Sequence, residues 1–136
     1  MNRNEMKIEF GSDPRNESFA RVVVASFMTR TNPTLEEVAD VKTAVSEAVT
    51  NSIIHGYGQK EGTIEIRAYI EERKLYIEIT DYGCGIEDVE KAMEPMFTTG
   101  KDGRSGMGFS FMEAFMDELT VESEPGKGTT VKMAKK

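Results

Sequence analysis

Apolar positions recur along the chain with two periods, 3.6 and 2, and the points where one yields to the other divide it into elements. Asn16 to Thr31 has Phe19, Val22, Val23, Ser26 and Phe27 at helical spacing. Asn32-Pro33 stops that helix. Thr34-Leu-Glu-Glu37 then has capping-box form, and Leu35, Val38, Val41, Val45, Ala48, Val49 and Ser52 continue as a second stripe that ends at Gly56. A period of two follows. Ile64, Ile66, Ala68 and Ile70 alternate with Glu65, Arg67, Tyr69 and Glu71, and after Glu72-Arg73 the alternation resumes at Leu75, Ile77 and Ile79. Lys7 to Gly11 reads as a short strand before the first helix.

Asp81 to Gly106 is rich in glycine and charge, broken by Val89, Ala92, Met93, Met96 and Phe97, which predict a short helix before a loop. Helical spacing returns from Met107 to Asp117. Glu118 to Ser123 and Thr129 to Met133 flank Pro125-Gly-Lys-Gly128 and predict a closing hairpin. This order predicts an α+β fold, a two-layer sandwich with a mostly antiparallel sheet and helices on one face. No repeat or linker interrupts it, so residues 1–136 read as one domain.

At 136 residues the chain is long enough to bury a core, roughly 68 to 70% of its unfolded surface. Seventeen basic against twenty-four acidic residues leave a formal charge of -7, which gives phosphate backbones no electrostatic attraction and argues against direct nucleic-acid binding. The single cysteine, Cys84, has no partner for an internal disulfide and suits a reducing compartment. With no signal-peptide core and no run near the about eighteen apolar residues of a membrane span, a cytoplasmic location away from membranes is expected. Asn16-Glu-Ser18 matches a glycosylation sequon that such a chain would never use.

Three motifs hold the candidate chemistry. Glu47, Asn51 and His55 lie at i, i+4 and i+8 beside the Val45, Ala48, Val49 stripe. They are either a polar helix flank or a site in which Glu47 is a general base and Asn51 offers a neutral oxygen to Mg²⁺; His55, at the helix end, suits the favourable position of a partial positive charge there. Asp81 has the parity of Leu75, Ile77 and Ile79, so a carboxylate points to the buried face of its strand. It either caps the Tyr82-Gly83 turn or awaits a ligand N–H such as adenine's amine, because a buried charge is costly unless paired. Gly83 and Gly85 suit both readings. Gly103-Arg104-Ser105-Gly106-Met107-Gly108 opens a helix, where free N–H groups and the dipole favour phosphate, and Arg104 adds a charged donor. Gly100-Lys101 is no P-loop, since Pro95 and Asp102 stand where that motif needs Gly and Ser or Thr. A dinucleotide fold is excluded by the lack of a βαβ unit before the glycines. Thr129 shares parity with Val131 and Met133; its hydroxyl either completes a base pocket or serves strand propensity alone.

Together these residues resemble the Bergerat-type ATP site of DNA gyrase, sensor histidine kinases, heat-shock chaperones and MutL-type repair proteins. Within that superfamily, Val45-Ser-Glu-Ala-Val-Thr-Asn51 through His55-Gly56, Phe97-Thr-Thr99 and Arg104-Ser-Gly-Met-Gly108 resemble the anti-sigma factor serine kinases of sporulating bacteria, over nearly the whole chain. The resemblance implies Glu47 as catalytic base, Asn51 as Mg²⁺ ligand, Asp81 as adenine reader with Thr129 beside it, and Gly83 and Gly85 lining the base. It implies that Thr98, Thr99, Arg104, Ser105, Gly106, Met107 and Gly108 hold the ATP phosphates, with an ATP lid at about 95–106. Gly100 stands where many relatives have Lys, which leaves open which lid cation meets phosphate. A homodimer, a sporulation sigma factor as bound partner, an anti-anti-sigma protein as substrate, and partner contacts at Arg21 are implied as well. An isolated histidine-kinase domain fits less well, because the only histidine, His55, falls inside the site itself. A stress-pathway anti-sigma kinase and a non-catalytic ATP-gated binding module remain as alternatives.

Overall fold

The computed structural model describes residues 4–58, 60–86 and 105–136, without the side chains of 105–108. The elements run β1 (Asn4–Gly11), α1 (Asn16–Met28), α2 (Leu35–Asn51), β2 (Thr63–Glu71), β3 (Lys74–Asp81), α3 (Ser105–Phe115), β4 (Glu118–Glu124) and β5 (Gly128–Lys135). The expected helix at 89–97 lies outside the described residues.

The five strands form one antiparallel sheet in the order β1-β2-β3-β5-β4. β1 starts three residues before its predicted boundary, pairing from Asn4 opposite Ile70 to Gly11 opposite Thr63. Backbone ladder bonds need no apolar side chain, so they extend the strand past its clearest alternation. β2 turns into β3 at Glu72 and Arg73, both with positive φ (53° and 67°), the geometry that matches a two-residue turn to the sheet's twist. β5 then inserts between β3 and β4, placing Asp81 opposite Thr129 and Ser123 opposite Thr129 on the other side.

One face of the sheet meets the helices. Ile64, Ile66, Ile77 and Ile79 are fully covered, against Ala20 and Val24 of α1, Val41, Val45 and Val49 of α2, and Met112 of α3. Each such side chain contributes about 1.5–3 kcal/mol, so this layer supplies the main drive for folding. The opposite face is polar and cross-linked, with Tyr69 stacked on Tyr76 at 4.6 Å, Thr80 and Thr130 hydroxyls 3.1 Å apart, and Lys132 donating to Glu122 at 3.1 Å. α+β layering with helices on one face is therefore the observed architecture.

The capping box forms as expected. Thr34 Oγ1 accepts from Glu37 N at 3.0 Å, and Glu37 Oε1 accepts from Thr34 N at 2.8 Å. At its other end the second helix departs from the regular helix expected through Gly56: α2 ends at Asn51, and Ser52–Gly56 is a π-helical turn in which Tyr57 N donates to Ser52 O at 3.0 Å. The wider turn leaves Gly56 O to accept from Cys84 N at 2.8 Å, which ties the helix end to the loop after β3. α3 begins two residues before the predicted Met107, so the glycines occupy its first turn and do not merely precede it. Its last turn is held by Lys135 Nζ, which donates to Phe115 O at 2.6 Å and lies 3.4 Å from Asp40 Oδ2. Among the described residues no helix is long and apolar enough to cross a membrane.

Candidate nucleotide site

Asp81 ends β3 with its side chain under the end of α2, only 4% exposed, as its parity predicts. Burial pushes its carboxyl above the usual aspartate range, opposed by hydrogen bonds from the Gly83 backbone, the Ser52 hydroxyl and the Thr129 backbone. The turn-capping reading is realised, since Gly83 N donates to Oδ1 at 3.0 Å. It does not use up the carboxylate, whose two oxygens have about four lone-pair sites. A carboxylate held this way can accept a further N–H from a ligand.

Backbones pass one another around this group with no room for side chains. A Cβ on Gly56 would stand 2.9 Å from the Asp81 carboxylate, one on Gly83 would stand 2.0 Å from Gly56 O, and one on Gly128 would stand 2.1 Å from Asp81 O. Gly83 is thus required by close approach. Gly85 adds a positive φ of 76° and would place a Cβ 2.2 Å from Glu124 O. Both expected site glycines therefore have internal packing reasons. Gly56 and Gly128 were read from sequence only as a helix end and a turn, and the signal that would have found them is tertiary: which backbone lies opposite.

Thr129 is 9% exposed and faces inward, opposite Asp81. A cleft of about 300 Å³ at this end of the sheet touches Asp81, Ser123 and Thr129 and is lined as well by Thr80, Glu122 and Thr130 of the polar, helix-free face. Tyr57 ties the loop after β3 to β2: its hydroxyl accepts from Tyr82 N at 2.7 Å and donates to Thr63 O. Ser52, Tyr57 and Ser123 escaped the sequence reading. Ser123 had a usable signal, because it shares the parity of Leu119 and Val121 and is the one polar residue of that inward series.

Glu47 and Asn51 lie one turn apart on α2, both partly buried, on the helix that delivers Ser52 and Gly56 to Asp81. The Asn51 Nδ2 atom is buried and has no hydrogen-bond partner among the described residues. An orphaned buried amide is costly, and a phosphate oxygen or an ordered water at that point would satisfy it. His55 lies in the π turn, and its carbonyl accepts from Cys84 Sγ at 3.0 Å. Ser105, Gly106, Met107 and Gly108 form the first turn of α3, which packs against α2 and whose first N–H groups have no partner within the helix. Thr98, Thr99, Arg104 and the expected lid, apart from its last residues at the start of α3, lie outside the described residues. Arg21 lies on α1, where its Nε is 3.5 Å from Glu17 Oε2, and Glu17 Oε1 accepts from Ser46 Oγ of α2 at 2.7 Å.

Comparison with known proteins agrees with this geometry. The histidine kinase-like ATPase domain profile matches residues 10–135. Proteins named anti-sigma F factor from Thermoanaerobacter pseudethanolicus and Caldanaerobacter subterraneus subsp. tengcongensis are 60% and 61% identical over 133 residues, covering 97% of this chain and 93% of theirs. One of the same name from Clostridium acetobutylicum is 59% identical over 137 residues, covering 100% of this chain and 96% of its own. Among solved structures, the RsbU and RsbW domains of a Mycobacterium tuberculosis protein superpose with a TM-score of 0.69 at 18% identity, over 98% of this chain and 32% of that one. The histidine kinase domain of an Erythrobacter litoralis blue-light activated kinase gives 0.57 at 21% identity, over 87% of this chain and 59% of that one. These two likenesses concern the fold alone. Matched by the profile over nearly its whole length and about 60% identical to these relatives, this chain belongs to the histidine kinase-like ATPase domain family, in the branch of the anti-sigma F factors.

Proposed function

We propose that this chain is a single-domain anti-sigma factor and protein serine/threonine kinase, which binds and inhibits a sporulation sigma factor and uses Mg-ATP to phosphorylate a serine of an anti-anti-sigma protein. The observation that carries the reading is Asp81: a carboxylate buried beneath α2, cradled by three glycines and facing Thr129, in a chain about 60% identical to anti-sigma F factors. Adenine's amine satisfies such an acceptor. The names of the relatives support sigma-factor binding, and the family profile supports ATP as substrate.

In this reading each residue has a stated task. Asp81 accepts from the exocyclic amine while Thr129, Gly83 and Gly85 bound the base. The N-terminal turn of α3, Ser105 to Gly108, presents backbone N–H groups to the phosphates, and Thr98, Thr99 and Arg104 of the lid at about 95–106 complete their coordination. The orphaned Asn51 amide fits a ligand-facing role, in which its oxygen would hold Mg²⁺. When bound, Mg²⁺ neutralises charge on the transferring phosphoryl group. Glu47 accepts the proton of the partner's serine hydroxyl as its oxygen attacks the γ-phosphorus; the bond to the β–γ bridging oxygen breaks, and ADP leaves with that electron pair. Arg104 stabilises the charge that develops.

Partner contacts are assigned to α1 around Arg21, where Phe19 and Val22 are more than half exposed. A homodimer in the cytoplasm, with no direct nucleic-acid or membrane contact, completes the proposal.

Intact-mass spectrometry of a candidate anti-anti-sigma protein, incubated with this chain, Mg²⁺ and ATP, tests it. A gain of one phosphoryl group on the partner is expected. ATP bound with no transfer to any cognate partner would replace the kinase by a nucleotide-gated binding module.

A further inference from the structure

Ser123, paired with Thr129 and inward by parity, is a second polar group beside Asp81 whose protons can be assigned. Ser123 Oγ has three neighbours: Ile86 N at 2.7 Å, Gly128 O at 2.9 Å and Thr129 Oγ1 at 2.8 Å. Ile86 N is a donor only, so Ser123 accepts from it. Gly128 O is an acceptor only, so the single Ser123 proton goes there. The Thr129 hydroxyl must then donate to Ser123, whose second lone pair receives it. Any other assignment leaves one of the three contacts without a proton. Thr129 has spent its one donor and has lone pairs alone to offer beside Asp81.

Asp81 stands opposite Thr129 in the sheet and is also an acceptor. We propose that Ser123 is a positioning residue of the base pocket: by taking the Thr129 proton it makes Asp81 and Thr129 a wall of acceptors, which receives a 6-aminopurine and repels a 6-oxopurine. The proposal rests on the reading of Asp81 and its surroundings as the base site. It assigns selectivity to a side chain that need not touch the nucleotide, because its work is to choose the direction of a neighbour's proton. The same hydroxyl anchors Ile86, next to Gly85, so the wall and the start of the segment after β3 share one support.

The test is the ratio of ATP to ITP affinity, measured by titration calorimetry with Mg²⁺ on the full chain. Wild type is expected to prefer ATP. In Ser123→Ala the Thr129 proton is released and can turn to a 6-oxo group, so the preference narrows by about tenfold, chiefly through tighter ITP binding. Ser123→Thr, which keeps the hydroxyl, restores it. Thr129→Val leaves Ser123 its other two bonds and also narrows the preference, and adding Ser123→Ala to it changes the ratio no further. Thermal melts check that each variant is folded; if Ser123→Ala is not, Thr129→Val and Ser123→Thr decide the matter. Parallel weakening of both nucleotides in Ser123→Ala would reduce Ser123 to a structural role and overturn the proposal. Equal wild-type affinities would overturn it while leaving the nucleotide site standing. Failure of wild type to bind either nucleotide would remove the base-site reading itself.

Discussion

A Cβ atom on Gly56 would stand 2.9 Å from the carboxylate of Asp81, a distance that real side chains do not tolerate. The end of α2 and the end of β3 are thus in contact through the one residue type that adds nothing between them. Gly56→Ala must displace the carboxylate or the π turn. We expect a stability loss of about 1–3 kcal/mol, as for other overpacked sites, and a fall in ATP affinity of about tenfold or more, equivalent to about 1.4 kcal/mol. Urea denaturation and calorimetry measure the two separately. Unchanged affinity in a folded variant would show that the ligand does not depend on where this carboxylate sits.

Asp81 links nucleotide binding to pH. Its folded-state pKa lies above the ordinary 3.8, chiefly because of burial. A raised folded value means that the group's favourable contribution is complete below the unfolded pKa and is lost as pH rises through the folded one. Asp81→Asn is therefore expected to gain stability relative to wild type as pH rises through that window, while ATP binding is abolished. Denaturation curves from pH 3.5 to 7 check the sign. A stability difference that moves the opposite way would mean that the hydrogen bonds from Gly83, Ser52 and Thr129 outweigh desolvation.

Glu47→Ala separates binding from chemistry. If Glu47 is the base, the variant binds ATP as wild type does and transfers phosphoryl about 10² to 10⁴ times more slowly. Single-turnover transfer to the partner reads this directly, and undiminished transfer would refute the assignment.

Thr34→Ala is the control for stability without chemistry. It removes the N-cap oxygen that accepts from Glu37 N, at a cost of about 1 kcal/mol. The cap lies at the far end of α2 from Asn51, so ATP affinity should be unchanged. A matching loss of affinity would reveal that the whole helix, and not its last turn alone, sets the site.

The gap between expectation and structure is sharpest at the two ends of α2. Its start was legible because a capping box is a local device: the residues that bond are three apart, and their identities state the geometry. Its finish was not, since the apolar stripe continues to Ser52 and nothing in Ser52-Ile-Ile-His-Gly56 announces a wider turn. The partner of that turn's last carbonyl, Gly56 O, is Cys84 N at 2.8 Å, nearly thirty residues later and invisible to local spacing. The same holds for Ser123, whose inward parity is readable but whose three partners come from β5 and the loop after β3.

What the sequence alone determined is everything with a short period. Alternation along β3 and β5 decides that Asp81 and Thr129 point inward, and helical spacing decides that Glu47 and Asn51 share a side of α2. The tertiary structure decided which inward groups meet. Asp81 stands opposite Thr129 because β5 enters the sheet between β3 and β4 in one register, and a slip of one residue would send every side chain of β5 to the other face. Direction is set by bonds between neighbours along the chain; partnership is set by packing the whole sheet against its helices.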